Sequence, residues 1–251
     1  MKSNYRYIVK AFMAMAVIAG TTSCDDFLDR EPMSSISPET YYSTAAQLEA
    51  NLNDEYPNVL PSFGQWTYGI FGEDKGTDNQ IEVNANDRYT QDRWKVPHSE
   101  SDNWKFERIY RINFFLSEAL PKFGEDMSGS QNTISGSVAT IKHYIGEMYF
   151  LRAYEYFKKL QLFGDFPIIN QPLADEMEAL REASKRFPRN EVARFIISDL
   201  DKAYAYMSDV DMATTRINKD AAMLVKSRVA LFEATWLQNF KGTAFVPGGE
   251  G

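Results

Sequence analysis

Between residues 62 and 101 the chain concentrates flat aromatic rings and short polar side chains: Trp66 and Tyr68, then Asp74, Asp78 and Asn79, then Tyr89 and Trp94. A sugar ring presents an apolar face rimmed by hydroxyls, so aromatic platforms flanked by amides and carboxylates have the chemistry to hold one. The same rings read as anchors that pin a long segment to neighbouring elements, because large aromatics pack more often than they bind. Asp74-x-Gly76-x-Asp78 has the outline of a calcium turn, yet the ligand order and closing glutamate of an EF-hand are missing, and a solvated acidic turn is the plainer reading. No spacing points to catalysis: there is no nucleophile elbow, HExxH or phosphate loop. One cysteine, Cys24, and two histidines, His98 and His143, exclude an internal disulfide and a Cys/His zinc site. No catalytic residue, metal or cofactor is expected.

Cys24 carries chemistry of another kind. Residues 1–23 hold Lys2, Arg6 and Lys10 with no acid, then the apolar run Ala11 to Gly20, the outline of a secretory signal peptide. The run is too short to span a bilayer comfortably. Thr21-Thr22-Ser23-Cys24 is similar to a bacterial lipobox, although Thr21 stands where leucine is usual. That similarity implies cleavage before Cys24 and acylation of its thiol, and several chains on one cysteine anchor a protein durably. An ordinary secreted protein with an incidental cysteine is the alternative. The formal charge of -8 repels phosphate backbones, so no nucleic-acid partner is expected.

The elements that must position these groups read mainly as helices. Residues 24–36 are polar and form a tether; Ser37-Pro38-Glu39 then resembles a helix start leading into Tyr41 to Tyr56, with Pro57 and Pro61 as stops. Trp104 to Leu120 is helical, with Phe106, Ile109, Tyr110, Leu116 and Leu120 near one face, Trp104 in the core and Pro121 at the end. The strongest pattern runs from Val138 through Ile141, Ile145, Met148, Tyr149, Tyr156 and Leu160 to Phe163, and Gly164 and Pro167 end it. Glu147 and Arg152 on this helix are five residues apart, not a helix ion-pair spacing, so each must meet another element. His143 reads as a packed or surface residue rather than a ligand. After a polar stretch, Asn190 is a plausible N-cap for a helix through Met207, and Lys219 to Gln238 forms another. Isolated amphipathic helices are marginal in water, so stacked helix pairs are expected.

Cys24-Asp25-Asp26-Phe27-Leu28-Asp29, Tyr110-Arg111-Ile112-Asn113, Ile145-Gly146-Glu147, Phe150-Leu151-Arg152-Ala153 and Phe163-Gly164-Asp165-Phe166-Pro167 occur in this order. So do Arg189-Asn190-Glu191-Val192 with Asp199-Leu200, and Lys219 with Arg228 and Leu231. In these residues the chain resembles the SusD/RagB family of outer-membrane nutrient-binding lipoproteins. The resemblance implies a mainly α fold of tetratricopeptide-like helix pairs, with long irregular loops forming a shallow ligand surface. It implies capture of an oligosaccharide, or in some members a peptide, without cleavage. The ligand then passes to a SusC-type TonB-dependent receptor, and the membrane is reached through the lipid anchor on the outer face of the cell. Residues 37–251 then correspond to the N-terminal part of the helical domain, with the C-terminal part missing. Two other classes compete: a secreted glycoside hydrolase, for which none of the 35 acids is singled out as a facing pair, and a periplasmic helical-repeat adaptor that binds proteins.

Overall fold

The computed structural model describes residues 41–61, 103–124, 126–208 and 215–246, and apart from Tyr41 these fall in one compact unit, Tyr42–Gly251. Among the described residues the regular structure is helical: α1 (Ala45–Val59), α2 (Glu107–Phe123), α3 (Val138–Phe163), α4 (Met177–Ala183), α5 (Arg189–Tyr206) and α6 (Lys219–Phe240). Only isolated bridges accompany them, such as Thr44 with Ser135 and Phe166 with Phe187.

Helix α3 is the axis. Its 26 residues make about seven turns, and it is buried on nearly every side rather than along one stripe. It packs most extensively on α5, and also on α1 and α2, while α5 carries α6 on its far side. The interface with α5 is unusually close at Gly146, where an added Cβ would lie 2.8 Å from the Met207 amide nitrogen and 2.9 Å from the Ala203 carbonyl oxygen. Gly164 ends α3 at φ 69°, a conformation that side chains bearing a Cβ resist.

Several boundaries differ from the sequence reading. Helix α1 begins at Thr44, whose Oγ1 accepts from the Gln47 amide while Gln47 Oε1 accepts from the Thr44 amide, a reciprocal cap; Ser37 lies outside the described residues. Pro57 sits within the last turn, where it removes one intrahelical donor without ending the helix. The stop comes before Pro61, where Leu60 is extended as a residue preceding proline must be. Pro121 is likewise inside α2, which continues to Phe123. Trp104 precedes α2 and is half-buried, edge-on to Phe163 and Phe166 with ring centroids 4.8 Å away in each case. Asn190 is not the cap of α5: the helix starts at Arg189, whose amide donates to Asp165 Oδ1 at 2.9 Å. Asn218 caps α6 through its side chain, and α4 was not expected at all.

Glu147 and Arg152 of α3 do both meet other elements. Arg152, nearly fully buried, forms two parallel bonds to Asp199 of α5, Nε to Oδ2 at 2.7 Å and Nη2 to Oδ1 at 2.8 Å. Its Nη1 donates to Asn113 Oδ1 of α2 at 2.9 Å and to the Asn170 carbonyl at 3.1 Å. Burial alone would push this guanidinium's pKa down, and the bonds and charge of Asp199 more than reverse that. Glu147 accepts from Tyr56 of α1 at 2.7 Å and from Arg216 at 2.8 and 2.6 Å. His143 is packed in the same region: Nδ1 accepts from the Ser208 amide, so Nε2 carries the hydrogen toward the Ile217 carbonyl, 3.0 Å away.

Three expectations follow. Gly146→Ala forces backbone apart at the α3–α5 interface and should cost about 1–3 kcal/mol in urea denaturation. Arg152→Met strands the Asp199 charge and should cost about 3–5 kcal/mol, part of it recovered when Asp199→Leu is added. The third concerns Glu55 of α1, which is buried, bonded through Oε1 to Arg111 Nε at 2.5 Å, and without a partner for Oε2 among the described residues. Burial raises its pKa despite the Arg111 charge. The folded chain therefore keeps this proton after the unfolded chain has lost it, and stability falls as pH rises from about 4.3 through the folded value. Glu55→Gln should gain stability relative to the parent as pH rises above about 4.3, the gain levelling off once the folded carboxyl has ionised, in parallel melts.

Candidate functional site

The side chains that can meet a ligand at the described surface gather at the N-terminal end of α2. There a groove of about 340 Å³ is lined by Phe106, which caps α2, by Ile109 and Tyr110 of α2, by Ile169, Gln171, Leu173 and Asp175 of the segment after α3, and by Leu180 and Ser184 of α4 and its end. Its floor is apolar. Tyr110 is 51% exposed and stacks on Phe114, with ring centroids 6.1 Å apart, so one flat ring is both held and open to solvent. Phe106 is backed by the fully buried Phe166, with the rings 5.2 Å apart and nearly parallel.

The opposite wall has no helix to fix it and is held by side chains from the core instead. Tyr156 of α3 accepts from the Ile169 amide at 2.8 Å and donates to the Ile169 carbonyl at 3.0 Å. Asn113 Nδ2 donates to the same carbonyl at 2.8 Å, and Arg152 holds the next one. Burial raises the Tyr156 pKa strongly, so its hydroxyl keeps the proton that it donates here. The Asn113 amide thus joins Arg152 to the groove wall. At the far side, the Phe166 and Phe187 backbones exchange bonds at 3.2 and 3.1 Å, closing the segment that contains α4.

An exposed aromatic ring, an amide at Gln171, a carboxylate at Asp175 and a hydroxyl at Ser184 around an apolar floor form a surface suited to a sugar ring. Among the described residues no group of three or more His, Cys, Asp or Glu could hold a metal ion, and no helix is long and apolar enough to cross a membrane.

Cys24, Trp66, Tyr68, Asp74, Asp78, Asn79, Tyr89 and Trp94, the residues singled out in the sequence, all lie outside the described residues. The groove was missed because Tyr110 was assigned to the buried stripe. It lies about 100° around the helix from Ile109 and further still from Ile112 and Leu116, and that angle was the available signal. Gln171 and Asp175 sit in a stretch with no periodicity to mark them.

Comparisons with known proteins agree with this architecture. A family model described as "Starch-binding associating with outer membrane", SusD-like, matches residues 26–231. Two SusD-like proteins of Formosa agariphila are each 25% identical, over 85% and 96% of this chain and 41% and 46% of their own length. The chain therefore spans less than half the length of these curated relatives. A SusD-like protein of Bacteroides fragilis aligns with TM-score 0.50 at 19% identity, covering 82% of this chain and 38% of that one. A SusD-like carbohydrate-binding protein of the same organism aligns with TM-score 0.52 at 19% identity, covering 80% and 40%, and both likenesses speak to the fold. With the family model matching most of its length, the chain belongs to the SusD-like family.

Proposed function

We propose that this chain is the N-terminal part of a surface lipoprotein that captures an oligosaccharide and passes it uncleaved to a SusC-type TonB-dependent receptor. The observation that carries the reading is the groove beside α2: a solvent-facing Tyr110 over an apolar floor, with polar side chains on its rim and a wall held by Arg152, Asn113 and Tyr156. Such a surface holds a ring by stacking and counts its hydroxyls by hydrogen bonds, which is binding without chemistry. The family description speaks of starch, and one structural neighbour is a carbohydrate-binding protein, so a glycan is favoured over a peptide.

Residues 1–23 serve as the signal peptide, Cys24 takes the lipid, and residues 24–36 tether the helical unit at the outer membrane, facing outward. Trp66, Tyr68, Asp74, Asp78, Asn79, Tyr89 and Trp94 are the further candidates for ligand contact. Calorimetry with starch oligosaccharides tests the capture step. Retention without any shortened product is expected, and Tyr110→Ala should remove about 1 kcal/mol, a roughly fivefold loss of affinity. Release of shorter sugars, or binding of peptides and no glycan, would overturn the reading. The anchor has its own check: the mature terminus should carry an acyl mass at Cys24, and protease added to intact cells should remove the helical unit.

A further inference from the structure

A second cleft, of about 400 Å³, adjoins the groove on the other side of the first turn of α2. The groove takes the capping Phe106 with Ile109 and Tyr110 of that turn, and the cleft takes Lys105, just before the helix, with Arg108 of the turn, joined by Lys158 and Lys159 from the last turns of α3. Among the described residues four cations and two acids, Glu107 and Glu155, line it, which is the reverse of the balance in a chain of net charge -8. Its base is fixed. Glu155 and Lys159 are buried and paired at 3.2 Å, and Lys159 Nζ also donates to the Asn103 carbonyl at 2.7 Å. The same Glu155 is the partner of Lys158, at 3.3 Å, so one carboxylate is shared between two ammonium groups while Arg108 stands exposed beside them. Burial pushes the Lys158 pKa down, and Arg108 and Lys159 push it the same way against Glu155. Among the described residues the cations lining the cleft outnumber its carboxylates, with one carboxylate shared between Lys158 and Lys159, a balance that favours entry of a ligand anion.

We propose that this cleft is a subsite for the acidic group of an oligosaccharide, a uronate carboxylate or a sulfate ester, while another ring of the same oligosaccharide lies on Tyr110 in the groove. The inference rests on the saccharide-binding reading and narrows it to acidic glycans. An α-helix with its side chains is about 10–12 Å across, so a short oligosaccharide reaches both sides of one turn.

Calorimetry of the chain with two matched pairs tests it: oligogalacturonate against its neutral methyl ester, and a sulfated galactan tetrasaccharide against its desulfated form. At least one acidic form should bind tenfold more tightly than its neutral partner, and the pair that shows the preference identifies the group. In Arg108→Gln, and separately in Lys105→Gln, the ratio of acidic to neutral affinity should fall toward one, with unchanged melting temperatures showing that these exposed positions leave the fold intact. Equal affinity within both pairs overturns the anion subsite and leaves saccharide capture standing. A preference that survives both substitutions overturns the assignment to this cleft. Binding of no saccharide, acidic or neutral, overturns both readings together.

Discussion

A guanidinium enclosed by an apolar helix bundle cannot be left without partners, and this requirement at Arg152 fixes more of the structure than any single apolar contact. An unpaired charge at such a site costs several kcal/mol, so the packings open to the chain are those that bring an acceptor to each of its donors. Asp199 comes from α5, Asn113 from α2 and the Asn170 carbonyl from the segment after α3. Three elements distant in sequence are thereby set in register around α3. Because Asn113 also bonds the Ile169 carbonyl, the same registration shapes the groove wall. Core electrostatics and the surface that meets ligand are one connected set of bonds.

Glu147 does the corresponding work one and a half turns earlier. It draws Tyr56 of α1 and Arg216 onto α3, and Tyr56 in turn accepts from the Ile217 amide at 3.1 Å, just before α6 begins. The Arg216 guanidinium also lies 4.7 Å from the Tyr144 ring centre, so its charge is enclosed by an aromatic face as well as by a carboxylate. Helix α3 therefore has an acidic station and a basic station, each completed by a different set of neighbours. Swapping those neighbours would pair like charges or leave donors facing donors, so the arrangement specifies which helix goes where, while apolar burial supplies the general drive to collapse.

How much of this could be read in the sequence depends on how local the cause was. The full span of α3 and its end at Gly164 were legible, because the apolar repeat and the glycine stop act within a few residues. That Glu147 and Arg152 must look elsewhere was legible too, since five residues is the wrong interval for a helix pair. Which residues they would find was not, because Asp199 lies 47 residues from Arg152 and Arg216 lies 69 from Glu147. The start of α5 failed for the same reason: its first amide is capped by Asp165, 24 residues upstream, and the Asn190 side chain accepts only from the next amide, that of Glu191. Pro57 and Pro121 were overrated as stops because a proline in a last turn forfeits one bond only. Tyr110 was local information misread, an angle overlooked in favour of residue type.

The position of the groove follows from these constraints. Segment 169–175 has no regular structure, and such segments ordinarily move too freely to present polar groups at fixed places. Here its first residues are bonded to Tyr156, Asn113 and Arg152, all inside the bundle, so Gln171 and Asp175 start from an anchored point. A ligand meeting them then has less ordering entropy to offset, which matters for a shallow surface that buries little area. The first turn of α2 gains from the same source. It belongs to the helix that carries Asn113, so Tyr110 on one side and Arg108 on the other are held by the network that satisfies Arg152. A scaffold built to satisfy one buried cation thus presents a rigid ridge between an apolar groove and a basic cleft.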